Sequence, residues 1–174
     1  QVASAQVTGI VGPNGNGKTT CLRAISGLMP RMSGVIKLDG ERIDNLAAEQ
    51  IARRGIIHVP QGDLVYKNMT VRDNLLVGGT MNHSRAVTDD RLEHVLTLFS
   101  RLRDKLSQTA SSLSGGERRM LGIGRGLMAA KMRLLMLDEV MAGLTPAEVA
   151  EMIGALHRLK DRHGLTILII EHVM

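Results

Sequence analysis

Tryptophan is absent from this chain, and its only other large aromatics are Tyr66 and Phe99. Leu, Ile, Val and Met must therefore fill the core, and eleven methionines are available to share that task. A single cysteine, Cys21, excludes a disulfide framework and fits a reducing compartment. It falls just after a glycine-rich stretch, where a packed thiol is expected. No apolar run approaches the roughly 20 residues that cross a bilayer; the longest, 165–170, is strand-sized. A charged-then-apolar start with a small-residue cleavage site is also missing, so no signal peptide is visible. Repeats, low-complexity tracts and long blocks of one charge are lacking as well. The net charge of +5 is spread as pairs such as Arg53-Arg54 and Arg118-Arg119, which suits a solvated surface, and no nucleic-acid partner is expected.

What remains is the composition of one globular domain. The chain has 174 residues, 44% of them apolar and 22% charged, enough to bury a core. Nineteen glycines are the informative excess. The chain starts at Gln1 rather than methionine and stops at Met174 just after a strand-like run, so it reads as a piece lacking both ends.

Hydrophobic patterning alternates strands with helices. Residues 7–11 form a short apolar strand candidate, followed by a glycine-rich loop and a helix over 18–26. Residues 34–38 alternate like a surface strand before an Asp39-Gly40 turn, 46–54 suit a short helix, and 56–59 suit a strand stopped by Pro60. From 70 to about 107 the periodicity is helical, with a polar stretch over 78–90. Ser114 and Glu117 form a capping box at the head of the next helix. Residues 134–137 are continuously apolar, as in a strand buried on both faces. Thr145-Pro146-Ala147-Glu148 starts a last helix, Gly164 ends it, and 165–170 form the final strand. This order predicts an α/β fold with a mainly parallel sheet and a helical insertion.

Gly12-Pro13-Asn14-Gly15-Asn16-Gly17-Lys18-Thr19 has the P-loop spacing G-x-x-x-x-G-K-[ST], between a strand and a helix as the motif requires. Glycines let the backbone curl so that its N–H groups face phosphate oxygens, and the helix that follows adds its positive end. Lys18 is expected on the β- and γ-phosphates, and the Thr19 hydroxyl on Mg²⁺, with Thr20 completing the loop's contacts. The apolar strand over 134–137 delivers Asp138 and Glu139 to the carboxyl edge of the sheet, where open α/β sheets bind ligands. Asp138 would support the metal shell and Glu139 would polarise the attacking water. Leu113-Ser114-Gly115-Gly116-Glu117 holds two glycines that capping does not explain. A glycine turn entering a helix N-terminus offers a docking surface for phosphate.

These motifs, in this order, resemble those of ABC-type ATPases over essentially the whole chain. The closest likeness is to the ATP-binding subunits of branched-chain amino acid importers. Gln61 through Asn74, with Tyr66 and Met69-Thr70-Val71, and Met141-Ala142-Gly143-Leu144-Thr145-Pro146 carry it. The ATPases of lipopolysaccharide export are similar around Arg53-Arg54-Gly55 and Gly116-Glu117-Arg118-Arg119. The resemblance implies a RecA-like P-loop NTPase core at 1–62 and 113–174, with a helical subdomain at 63–112. It implies Mg²⁺-dependent ATP hydrolysis, with ATP and Mg²⁺ as cofactors. Two subunits, alike or different, would clasp ATP between the 12–20 loop of one and Ser114, Gly115, Gly116 and Glu117 of the other. Val59-Pro60-Gln61 matches the glutamine loop, so Gln61 would sense Mg²⁺ and the γ-phosphate. Glu171-His172 matches the switch histidine, which makes His172 catalytic beside Glu139 and Gln61. The partners implied are a second ATP-binding subunit and a membrane permease. The place implied is the cytoplasm, on the inner face of the membrane.

Several features depart from the family pattern. Val140 stands where proline usually follows the catalytic glutamate, and Thr145 stands where an aspartate usually precedes proline. No aromatic precedes the P-loop to stack on adenine. Gly122, Gly124 and Gly126 each cost a helix up to about 1 kcal/mol against alanine. Two rivals remain: a soluble, non-transport ABC ATPase, and a binding-only regulatory module.

Overall fold

A four-stranded parallel sheet orders the chain, in a computed structural model that describes residues 1–30, 33–62 and 65–171. Strand β1 (Val7–Val11) leads through the glycine loop into helix α1 (Lys18–Ile25). A small antiparallel hairpin follows, β2 (Lys37–Leu38) and β3 (Glu41–Arg42), turning at Asp39-Gly40. Helix α2 (Ala48–Arg53) and strand β4 (Ile56–Val59) come next. Helices α3 (Val71–Gly78) and α4 (Arg85–Leu98) and two 3₁₀ turns, Ser100–Lys105 and Ala110–Ser112, make the helical insertion. Helix α5 (Gly115–Leu127), strand β5 (Leu134–Asp138), helix α6 (Pro146–His163) and strand β6 (Thr166–Glu171) complete the described chain. Among the described residues, no helix is long and apolar enough to cross a membrane.

The sheet order is β1-β6-β5-β4. Register pairs Val7 with Ile167, Leu135 with Ile167, and Ile56 with Leu134. The two central strands read as unbroken apolar runs because both their faces are covered. Leu135, Leu137 and Ile167 face one layer, with α5, α6 and the insertion. Met136, Leu168 and Ile170 face the other, with Leu22 of α1 and Ile51 of α2. The helical insertion shares the first of these cores: Val71, Leu75, Val95 and Phe99 belong to one cluster with Leu135 and Ile167.

Two glycines that looked costly in α5 are explained by its position between the sheet and the insertion. A Cβ at Gly124 would come within 2.9 Å of Val95 Cγ1 and 3.1 Å of Leu75 Cδ2. One at Gly126 would lie 3.1 Å from Ile57 Cγ2 and 3.2 Å from Val59 Cγ2. The helix forfeits some propensity to bring three layers close together.

Other local expectations shift. The surface strand expected over 34–38 shrinks to Lys37–Leu38. The polar stretch over 78–90 is partly helix, since α4 starts at Arg85 under a Ser84 cap whose side chain accepts from Val87 N–H. Its first turns are exposed apart from half-buried Thr88 and Arg91, so no apolar period announced them. Cys21 is exposed rather than packed, because α1 buries Lys18 and Leu22 instead.

Candidate active site

The carboxyl ends of β1, β4 and β5 converge on one edge of the sheet and carry the glycine loop, Gln61 and the Asp138-Glu139 pair. Gly15 and Gly17 have φ of 84° and 76°, a left-handed conformation that needs glycine. A Cβ at Gly12, Gly15 or Gly17 would meet no protein atom within 4 Å, so these glycines line open space rather than a crowded turn. Pro13, Asn14, Gly15, Asn16 and Gly17 are all exposed along this curl. Helix α1 starts at Gly17 with no side-chain cap and no acid in its first turn. Its leading donors and positive end are thus unopposed, which favours an anion. Lys18 is buried, and its ammonium donates to the carbonyls of Gly12 at 2.7 Å and Pro13 at 2.8 Å, across the loop's mouth. A phosphate there exchanges neutral acceptors for a charged one. Thr20 is exposed on the first turn of α1.

Thr19 ties this loop to β5. Its hydroxyl donates to Asp138 Oδ1 at 3.2 Å, and Asp138 is fully buried. Asp138 Oδ2 is also buried and meets no hydrogen-bond donor among the described residues. A hydroxyl and a buried carboxylate with a spare oxygen suit a hard cation such as Mg²⁺, which takes its remaining ligands from phosphates and water. The residues present fit that ion.

Glu139 follows directly. It is buried yet holds φ 51°, a left-handed backbone uncommon outside glycine. Its N–H donates to Ile170 O at 2.9 Å, and Gln61 Nε2 donates to Glu139 Oε2 in a short bond. Gln61 is therefore placed on the carboxylate of Glu139. His172 lies outside the described residues.

The signature segment is built differently from the loop. Ser114 accepts from Glu117 N–H at 3.2 Å, and Glu117 Oε2 accepts from Ser114 N–H at 2.9 Å, closing the capping box. Gly115 and Gly116 are the first helical residues of α5, not a turn before it. Gly115 faces open space, whereas a Cβ at Gly116 would run into the Glu148 carboxylate. Burial alone would push the Glu117 carboxyl up. The Lys105 ammonium at 2.6 Å, together with Ser114, outweighs this and holds it below its ordinary value. A cleft of about 310 Å³, lined by Gly62, Gly115, Arg118, Arg119, Ala142 and Gly143, joins the signature to the segments beyond Gln61 and Glu139.

Sequence reading missed several supports. Arg119 donates to Glu139 O at 3.1 Å and to Ala142 O at 3.2 Å. Lys105 lies in a 3₁₀ turn, and nothing in the sequence pairs it with Glu117. Asn74 is fully buried and organises the 66–70 loop, accepting from Tyr66 N–H at 2.7 Å and donating to Tyr66 O and Thr70 O at 3.0 and 2.9 Å. Beyond the glutamine loop, Val65 and Val71 point into the core, while Tyr66 stays half exposed beneath the Arg125 guanidinium.

Comparison with known proteins agrees with this edge. The ABC transporter family matches residues 1–142. A high-affinity branched-chain amino acid transport ATP-binding protein of Pseudomonas aeruginosa, BraG, is 36% identical, over 98% of this chain and 72% of its own length. The lipopolysaccharide export system ATP-binding protein LptB of Escherichia coli is 37% identical, over 98% of this chain and 70% of its own. Among solved structures, an ATP-binding cassette of an ABC transporter in its ADP conformation superposes with a TM-score of 0.86 at 28% identity, covering 99% of this chain and 72% of that one. The P-loop cradle, the acidic end of β5, the capped signature helix and these likenesses lead to one conclusion: the chain belongs to the ABC transporter family, as an ATP-hydrolysing subunit.

Proposed function

We propose that this subunit powers a membrane transporter that imports branched-chain amino acids, working as one of two ATP-binding subunits beneath a permease, on the cytoplasmic face of the membrane. The observation that carries the catalytic part is the Thr19–Asp138 hydrogen bond, which fixes the phosphate loop against the strand bearing Glu139. The solute rests on the likeness to BraG and to the branched-chain amino acid transport proteins LivF and BraF.

In this reading the N–H groups of 12–20 and the Lys18 ammonium hold the β- and γ-phosphates of ATP. Thr19 and Asp138 would hold Mg²⁺, which neutralises charge on the phosphates when bound. Glu139 accepts a proton from water as the water oxygen bonds to the γ-phosphorus. The bond from that phosphorus to the ADP oxygen breaks, giving ADP and phosphate. Gln61 orients the Glu139 carboxylate through its amide. His172 joins on its sequence position alone. Residues 114–117 of the second subunit cover the γ-phosphate. Positioning and charge stabilisation supply most of the rate, as in other phosphoryl transfers.

Tyr66, exposed beside α5, is the proposed permease contact. Tyr66→Ala should lower transport more than the ATPase of the isolated subunit. Leucine uptake by cells carrying or lacking the gene tests the solute. Uptake that falls on deletion and returns with the wild-type gene, but not with Glu139→Gln, supports the importer. Unchanged uptake with a defective outer membrane favours the second reading, lipopolysaccharide export, which the likeness to LptB supports.

A further inference from the structure

The backbone of Glu139 is gripped from two sides. Its N–H is bound to Ile170 O of β6 at 2.9 Å, and its carbonyl accepts from Arg119 Nη1 of α5 at 3.1 Å. The second guanidinium arm, Nη2, donates to Ala142 O at 3.2 Å, so one side chain spans both ends of the turn after β5. The far side of that turn is pinned to β6, where Met141 N–H donates to Glu171 Oε1 at 3.0 Å. Between these anchors Glu139 holds φ 51°. A non-glycine residue stays in that region only where its surroundings over-determine it.

Arg119 lies just over one helical turn beyond the Ser114 cap. Helix α5 is wedged tightly, with Gly124 against the insertion and Gly126 against β4. Such a helix moves as a body, since close-packed interiors transmit displacement. A shift at its N-terminus therefore reaches the Glu139 carbonyl through the guanidinium. The aspartate expected at the end of this turn is Thr145 here, a neutral residue capped by Glu148.

We propose that Arg119 is a positioning residue that sets the backbone of Glu139, coupling the signature helix to the catalytic carboxylate of the same subunit. This rests on the reading of Glu139 as the base. Guanidinium geometry matters because its rigid fork serves two carbonyls at once, whereas an ammonium is a point donor. Arg119 binds the carbonyls of Glu139 and Ala142 and lies outside the 12–20 loop, so its loss is expected to act on turnover rather than on affinity.

The test is ATPase kinetics and single-turnover hydrolysis with the complete gene product, using Arg119→Gln, Arg119→Lys, Glu139→Gln and the Arg119→Gln/Glu139→Gln pair. Arg119→Gln should lower kcat by about 10²-fold, the scale of a 1 Å misplacement, with the ATP KM within about twofold. Arg119→Lys should recover part of the loss, and it remains readable if the glutamine variant fails to fold. On the Glu139→Gln background, Arg119→Gln should add nothing, because it acts only through the missing carboxylate. An equally large loss on that background, an effect seen mainly in KM, or wild-type kcat for both Arg119 variants would overturn the inference. If Glu139→Gln itself turned over at the wild-type rate, the failure would instead lie with Glu139 as base.

Discussion

Two helix N-termini in this chain carry its glycine-rich motifs, and they are finished in opposite ways. Helix α1 begins at Gly17 in a left-handed conformation, with no side-chain cap and no acid in its first turn. Helix α5 begins at Ser114 with a full capping box and Glu117 in its first turn. An uncapped N-terminus leaves its donors for a ligand, and a capped one spends part of them internally. The first is a cradle that needs phosphate to complete it. The second is already satisfied, and it leaves Ser114 and Gly115 exposed for a phosphate held elsewhere. In the proposed function one chain carries both halves of a clasp, with its two glycine-rich motifs on either side of the helical insertion.

The largest effect that separates the two regions is chemical. Glu139→Gln keeps the side chain's size but cannot accept a proton, so steady-state ATPase should fall by about 10²–10⁴-fold while ATP still binds in a filter assay. Next, the cradle should fail by affinity. Lys18→Ala removes its buried ammonium and should weaken ATP binding by about 10–100-fold, from the worth of a charge-assisted hydrogen bond of about 1.5–3 kcal/mol. Titration calorimetry showing equal affinity in both proteins would remove the cradle from the account.

The signature glycines allow a finer cut. Gly115 faces open space, so Gly115→Ala should leave the melting temperature unchanged yet lower ATPase by about tenfold, or about 1.4 kcal/mol of transition-state stabilisation. Gly116→Ala forces the Glu148 carboxylate away from its Thr145 cap and should also cost about 1 kcal/mol of stability, the usual worth of a cap. Full activity in Gly115→Ala would make the pair a packing device only.

The smallest effect is acidic. Burial pushes the Glu117 carboxyl up, but Lys105 and Ser114 bring it below its ordinary value. A depressed carboxyl adds stability that is complete above the unfolded pKa of about 4.3 and is lost as pH falls through the folded value. Melting temperatures from pH 7 down to 3 should therefore fall more steeply for the wild type than for Glu117→Gln. Parallel curves would contradict the ion pair with Lys105.

Much of this was legible in the sequence, for identifiable reasons. The strands read at 7–11, 56–59 and 134–137 showed as short apolar runs because glycine, proline and acid residues follow them directly. The capping boxes at Ser114 and Thr145 were readable because both partners lie within one turn. What escaped reading depends on distance along the chain. Lys105 meets Glu117 across a 3₁₀ turn, Glu148 stands against Gly116 from another helix, and Arg119 reaches the turn after β5. Of the hairpin, the first strand and the Asp39-Gly40 turn were readable, while β3 escaped because two residues are too few to show a period.

In the proposed function, the uncapped cradle of one subunit and the capped signature face of another hold the same ATP. Sedimentation velocity of Glu139→Gln, with and without MgATP, tests it most directly. ATP is then part of the interface, so a protein that binds ATP without consuming it should pass from monomer to dimer on adding MgATP. Ser114→Arg on that background should return it to monomer by filling the phosphate position. A Glu139→Gln protein that stays monomeric at saturating MgATP, with ATP bound, would contradict the shared site.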